Sequence, residues 1–285
     1  MVVCCSEFMR IPEASEWACI VEAGIFKPGN IHPGRKGFFD FVVSAVLLRT
    51  SLERICSTQE VYLGRFIKEA VLDRAKFVDS NTNLGIILLH VPIAVAASRE
   101  VGTLEKTLDE LVQLTTTEDA VEVAEAVRVS NAFLGEPKKG PDLRYKGGIK
   151  EIQERGTTLL DLFVVASEWD TIASEWVNNF SITLSGAEQL LSGGSVLQLY
   201  MEILARYPDS LVQRRFGEDT ARKISGKAKE LLKDLSFDNV KKWDKYLYKK
   251  SINPGTTADL VASSIFVALL KEKNLLKEFL DALQL

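Results

Sequence analysis

The stretch NPGTTADLVASSIFVALLK, residues 253–271, carries the reading that decides the fold. Pro254-Gly255 suits a tight turn, and Thr256 with Asp259 three residues on has the form of a capping box. The apolar residues that follow predict a helix over 257–271. Working outward, apolar residues at three- and four-residue spacing, broken by Gly, Pro and Asn clusters, predict further helices. They fall near 12–24, 38–49, 59–78, 83–98, 104–113, 117–131, 157–180, 192–206, 217–235, 237–249 and 274–283. Strand-like alternation is scarce. The expected fold is therefore all-α, a single compact domain over 1–285 with about a dozen helices.

One long segment rich in Gly, Pro and charge interrupts the pattern: GEPKKGPDLRYKGG, residues 135–148. It could link two halves, but composition does not shift across it, and long loops in compact proteins are often functional. An ordered or ligand-ordered loop within one domain is the expectation. No internal repeat of fixed period is visible.

The 285 residues are 46% hydrophobic and 26% charged, enough for a core that needs no staples. A formal net charge of -4 argues against a coat for nucleic acid or an anionic membrane. Any polyanion must then be met by a local basic pocket. Cys4, Cys5, Cys19 and Cys56 form no CxxC pair and have no His at zinc-site spacing, so they read as free thiols. The start MVVCCSEFMR lacks the features of a secretory signal, and the longest apolar run, Ile86 to Ala97, is short for a bilayer span and contains His90 and Pro92. A cytoplasmic protein is expected, with His90 a core histidine.

Three polar clusters each precede an apolar helix, where unpaired backbone N–H groups attract anions. The first runs from Lys27 through Pro28, Gly29, Asn30, Ile31, His32, Pro33 and Gly34 to Arg35 and Lys36, with Glu22 upstream. The second is Ser80-Asn81-Thr82-Asn83-Leu84-Gly85, and the third is Asn253 to Asp259. Each alone reads plainly as turn and cap chemistry. Their joint value depends on meeting in one cleft, which is the expectation here.

In order and across most of the chain, these segments resemble the triphosphoribosyl-dephospho-CoA synthase family. The resemblance rests on Glu22 with Lys27–Asn30 (KPGN), Phe41 with Ser44 and Ala45, and Asn81, Thr82, Asn83 and Gly85. It continues through ASEWDTIASEW (166–176), RYPDSLVQRRFG (206–217) and NPGTTADL (253–260). Two departures stand out. The family's G.H.DM segment reads Gly37-Phe38-Phe39-Asp40 here, without its histidine, and NTHKG becomes Asn81-Thr82-Asn83-Leu84-Gly85.

The resemblance implies transfer of the triphosphoribosyl group of ATP to the ribose 2′-hydroxyl of dephospho-CoA, or a related nucleotide acceptor, with release of adenine. Breaking that glycosidic bond builds oxocarbenium character, which calls for a carboxylate, while the triphosphate calls for cations, helix N-termini and Mg²⁺. No P-loop or dinucleotide fingerprint is present. By position, Lys27, Arg35 and Arg214 are candidates for phosphate, Asp209 and Asp259 for Mg²⁺, and Glu22 or Asp40 for acid/base work. Gly29, Asn30, His32, Asn81, Thr82, Asn83, Gly85, Asn253, Gly255, Thr256 and Thr257 complete the nucleotide-binding candidates. Asp209 reads equally as a cap after Tyr207-Pro208. A Mg²⁺-dependent nucleotide hydrolase and a non-catalytic ATP- or CoA-binding protein are the competing functions. Homodimerisation is left open.

Overall fold

The computed structural model describes residues 9–99 and 102–283; Cys4 and Cys5 lie outside them. Among the described residues there are sixteen helices and no strand. The first half holds α1 (Ile11–Gly24), α2 (Phe38–Cys56), α3 (Leu63–Ala75), α4 (Leu84–Ala97), α5 (Leu104–Gln113), α6 (Thr117–Val129), α7 (Lys146–Arg155) and α8 (Leu159–Ala166). The second holds α9 (Thr171–Val177), α10 (Ser181–Leu191), α11 (Val196–Arg206), α12 (Ser210–Phe216), α13 (Glu218–Leu231), α14 (Phe237–Lys249), α15 (Gly255–Lys271) and α16 (Leu275–Ala282).

The all-α expectation holds, while the count of about a dozen is corrected upward. The helix expected over 157–180 breaks after Ala166, and the Asp170 carboxylate caps a new helix by accepting from Ile172 N at 2.9 Å and Ala173 N at 3.1 Å. Helix α10 then starts on a borrowed cap: buried Glu175, from α9, accepts from the backbone of Ile182 and Thr183, each at 2.8 Å. Helices α7 and α12 are likewise short additions. Helices this short draw their stability from partners outside themselves, which local periodicity does not register.

The centre of the fold is α15, packed against α1, α4, α10 and α11. Its crossing with α10 is close because Gly186 has no side chain: a Cβ there would lie 2.3 Å from Ser264 Oγ. Helix α4 is apolar on all sides and correspondingly buried. Pro92 within it lacks the N–H that would have bonded the Leu88 carbonyl four residues back. Trp176 Nε1 from α9 donates to that carbonyl instead, at 3.0 Å. His90 lies in the core as expected, its Nδ1 2.8 Å from Ser15 Oγ and its ring stacked 4.5 Å from that of Phe266. Burial holds its pKa down at about 3, so the ring is neutral. Cys19 is buried and Cys56 half-buried, both as free thiols.

Candidate active site

The three polar clusters meet. Glu22 and Asn30, Asn81 to Gly85, and Asn253, Gly255, Thr256 and Asp259 all line one cavity of ~270 Å³. Helices α4 and α15 begin at it, where Leu84 N is taken by Asn81 Oδ1, Gly255 N by Asn253 O and Thr257 N by Asp209 Oδ2, and the N–H groups of Gly85, Ile86 and Thr256 remain unpaired.

Long-range contacts set this convergence. The loop after α1 is clamped from the second half of the chain: Tyr200 Oη donates to Pro28 O at 3.0 Å, Gly29 N to Asp244 Oδ1 at 3.0 Å, and Asn30 Nδ2 to Pro254 O at 3.3 Å. Gly29 needs to be glycine, since its φ is 79° and a Cβ would meet Ile252 O at 2.9 Å. The segment before α4 is held by the buried guanidinium of Arg74, which donates to the carbonyls of Val78, Ser80 and Ser130. Ser44 of α2 adds a hydroxyl contact to Thr82 Oγ1 at 2.5 Å.

The polar wall has more acceptors than donors. Asn83 is the N-cap of α4, yet its side chain caps nothing; Asn81 Oδ1 accepts from Leu84 N at 3.3 Å instead. Both polar atoms of the buried Asn83 carboxamide, Asn253 Oδ1 and Glu22 Oε1 have no hydrogen-bond partner. Asp259 joins them, freed from the capping box expected with Thr256. That box does not form, because the helix begins at Gly255 with Pro254 as its N-cap and so already contains Thr256; the Thr257 N–H goes to Asp209 at 2.8 Å. Burial, and then the nearby Glu22 and Asp209 carboxylates, push the Asp259 carboxyl well above its ordinary range. Burial also pushes Glu22 up, opposed by Lys27, whose ammonium lies 3.1 Å from Glu22 Oε1. That contact is an ion pair rather than a directed hydrogen bond.

The rest of the lining is largely apolar and comes from α8, α9, the turn between them and the 132–143 segment, including Phe133, Leu134, Phe163 and Trp169. Arg214 sits among these residues, half-buried, paired with Asp170 and donating through Nε to Phe133 O at 3.2 Å. The loop expected to be functional thus contributes Gly135 to Leu143 to the lining. From it and from 166–176 the sequence reading selected no site residue. Lys139, Asp142, Trp169 and Asp170 line the cavity all the same, from a segment singled out as a long loop and from one that resembles the family.

Several candidates lie off the wall, and the contacts say why. Arg35 pairs with Asp244, donates to His32 Nε2 at 3.0 Å and stacks 3.8 Å from the Tyr248 ring centroid, so it and His32 fasten the loop to α14. Asp209 caps α12 through Val212 N at 2.9 Å and accepts from Thr257 N and Oγ1. Both of its oxygens accept hydrogen bonds from the chain, and neither Asp209 nor Thr257 lines the cavity. Asp40 is exposed and accepts from Ser80 Oγ at 3.2 Å. Lys27 is buried beneath the wall, and Gly29 packs on α14.

In this all-helical fold one cavity joins the starts of two helices, carboxylates and an arginine, and the sequence holds no P-loop or dinucleotide fingerprint. The family model for CitG, ATP:dephospho-CoA triphosphoribosyl transferase, matches residues 8–278. The chain belongs to that family. It is also similar to a solved structure from Archaeoglobus fulgidus whose own assignment as a triphosphoribosyl-dephospho-CoA synthase is provisional. The two are 29% identical with a TM-score of 0.69, over 81% of this chain and 98% of that one. No protein of curated function matches.

Proposed function

We propose that this cavity transfers the triphosphoribosyl group of ATP to the 2′-hydroxyl of dephospho-CoA and releases adenine. The observation that carries the reading is the meeting of three sequence-distant clusters in one cleft with a polar, acceptor-rich wall and an apolar wall. Phosphates fit the α4 and α15 N-termini and Arg214; a flat base fits the apolar wall.

In the reaction the acceptor hydroxyl attacks ribose C1′ and gives up its proton, the C–N bond to adenine breaks, and adenine leaves with the electron pair and takes up one proton, so that the step is neutral overall. Glu22 is the residue on the wall suited to take the hydroxyl proton, and its negative charge opposes the positive charge developing at the ribose. Asn30, Asn81, Thr82 and Thr256 are placed to orient ribose and phosphate oxygens without adding charge.

Mg²⁺ belongs to the same proposal. The described residues hold no cluster of three or more His, Cys, Asp or Glu able to bind a metal. Mg²⁺ nevertheless keeps waters and phosphate oxygens and needs only one or two protein carboxylates. The surplus of hard oxygen acceptors without donors at Asn83 and Asn253 fits such an ion, with Asp259 as its carboxylate. When bound, the ion would neutralise charge on the triphosphate. A cytoplasmic location is also part of this reading, which draws on ATP; among the described residues no helix is long and apolar enough to cross a membrane.

The test is product analysis after incubation with ATP, Mg²⁺ and dephospho-CoA. Adenine should appear in step with a dephospho-CoA adduct heavier by one triphosphoribosyl group. Adenine together with free ribose triphosphate would make the protein a hydrolase, and ATP binding without adenine release would make it a binding protein.

A further inference from the structure

An ammonium inside a protein is tolerated only where its N–H groups all find acceptors. Lys27 has no exposed surface, and its Nζ reaches three oxygens: the Glu22 carbonyl, the Ile25 carbonyl at 2.9 Å and Glu22 Oε1 at 3.1 Å. Two of these oxygens accept hydrogen bonds, and the third, Glu22 Oε1, is the ion-pair partner on the remaining side of the ammonium. Two of them are carbonyls at the C-terminal end of α1, which the helix leaves without intrahelical partners and where positive charge is favoured. No donor remains for a phosphate. The residues that follow are held just as firmly, since Pro28 O and Gly29 N are bound by Tyr200 and Asp244. Lys27 therefore cannot swing out to the cavity without releasing the end of α1 and the turn together.

Glu22 is placed differently. Its side chain reaches the cavity wall while its carboxylate is paired from behind the wall with Lys27. We propose that Lys27 is a positioning residue that never touches the nucleotide: it closes the end of α1 and holds the Glu22 carboxylate in place as its buried counter-charge. The proposal rests on Glu22 being the base.

Lys27→Met, Glu22→Gln and the double variant test it, read by calorimetric ATP affinity with Mg²⁺ and by the rate of adenine release. Lys27→Met should keep the ATP Kd within about threefold while kcat falls about a hundredfold or more, and the double variant should be no slower than Glu22→Gln alone. A tenfold or greater loss of ATP affinity in Lys27→Met would make Lys27 a nucleotide ligand and overturn the proposal. Full kcat in Lys27→Met beside an inactive Glu22→Gln would overturn the positioning role and leave the base reading standing. Full kcat in Glu22→Gln would remove the base reading and this inference with it. Should Lys27→Met fail to fold, the double variant carries no unpaired buried charge and should fold. It should then bind ATP as Glu22→Gln does, and a tenfold weaker Kd would overturn the proposal.

Discussion

Gly85 and Asp259 fit against each other with no room for a side chain between them: a Cβ on Gly85 would fall 2.1 Å from Asp259 Oδ2 and 2.7 Å from its Cγ. The first turn of α4 therefore packs directly on the second turn of α15, and the missing Cβ is what leaves room for the carboxylate there. Gly85→Ala should displace that carboxylate. In an unhindered helix the change would gain up to ~1 kcal/mol, so the melting temperature should change little while Mg²⁺-dependent ATP affinity falls about tenfold or more, ~1.4 kcal/mol. Unchanged affinity would show that the site tolerates a shifted Asp259.

Asp259→Asn separates metal binding from helix capping. If Asp259 serves Mg²⁺, ATP affinity measured with Mg²⁺ should drop about tenfold or more, while affinity measured with chelator barely changes. Equal Mg²⁺-dependent affinities for variant and wild type would remove it from the metal site.

The same substitution has a pH signature. Burial, Glu22 and Asp209 raise the folded-state pKa of Asp259 above its unfolded value. The stability tied to the protonated form is thus fully present below the unfolded pKa and is lost as pH rises toward the folded one. Without metal or nucleotide, Asp259→Asn should accordingly melt higher than wild type near neutral pH, and the gap should close as pH falls toward ~4. A gap that widens on acidification would contradict the raised pKa.

Asp209 joins two helices that the sequence keeps 48 residues apart, through Val212 N on α12 and Thr257 on α15. Asp209→Ala leaves both N–H groups buried without acceptors, which should cost about 2–4 kcal/mol in denaturant unfolding. A loss below ~0.5 kcal/mol would mean that water or a neighbour replaces the carboxylate.

Arg214 should act on phosphate and not on the base. Arg214→Ala should raise the KM for ATP about tenfold or more with a much smaller effect on adenosine binding, and Arg214→Lys should not restore it, because the guanidinium fork also holds Asp170 and Phe133 O. Equal losses for ATP and adenosine would indicate collapse of the apolar wall instead.

Local sequence pattern was enough for the helical fold and for the places where polar segments break it. Each long helix closes its hydrogen bonds within four residues, so α1, α5 and α14 were legible from local spacing almost to the residue. The three clusters before apolar helices were legible too, because turn and cap residues announce helix ends; the starts of α4 and α15 meet at the cavity, and the first cluster reaches it through Asn30 beside Glu22. Packing alone settles which residues face the cavity and which brace it. Lys27, Arg35 and Asp209 carry the charges a phosphate or metal site would use, but their partners are a buried carboxylate, Asp244 on α14 and the backbone at Thr257. Asn83 resembles an ordinary cap and is instead left free by Asn81. A charged or polar side chain has the same local signature whether it faces ligand or another part of the chain; that choice is settled by packing, where an unpaired buried charge is the most expensive alternative.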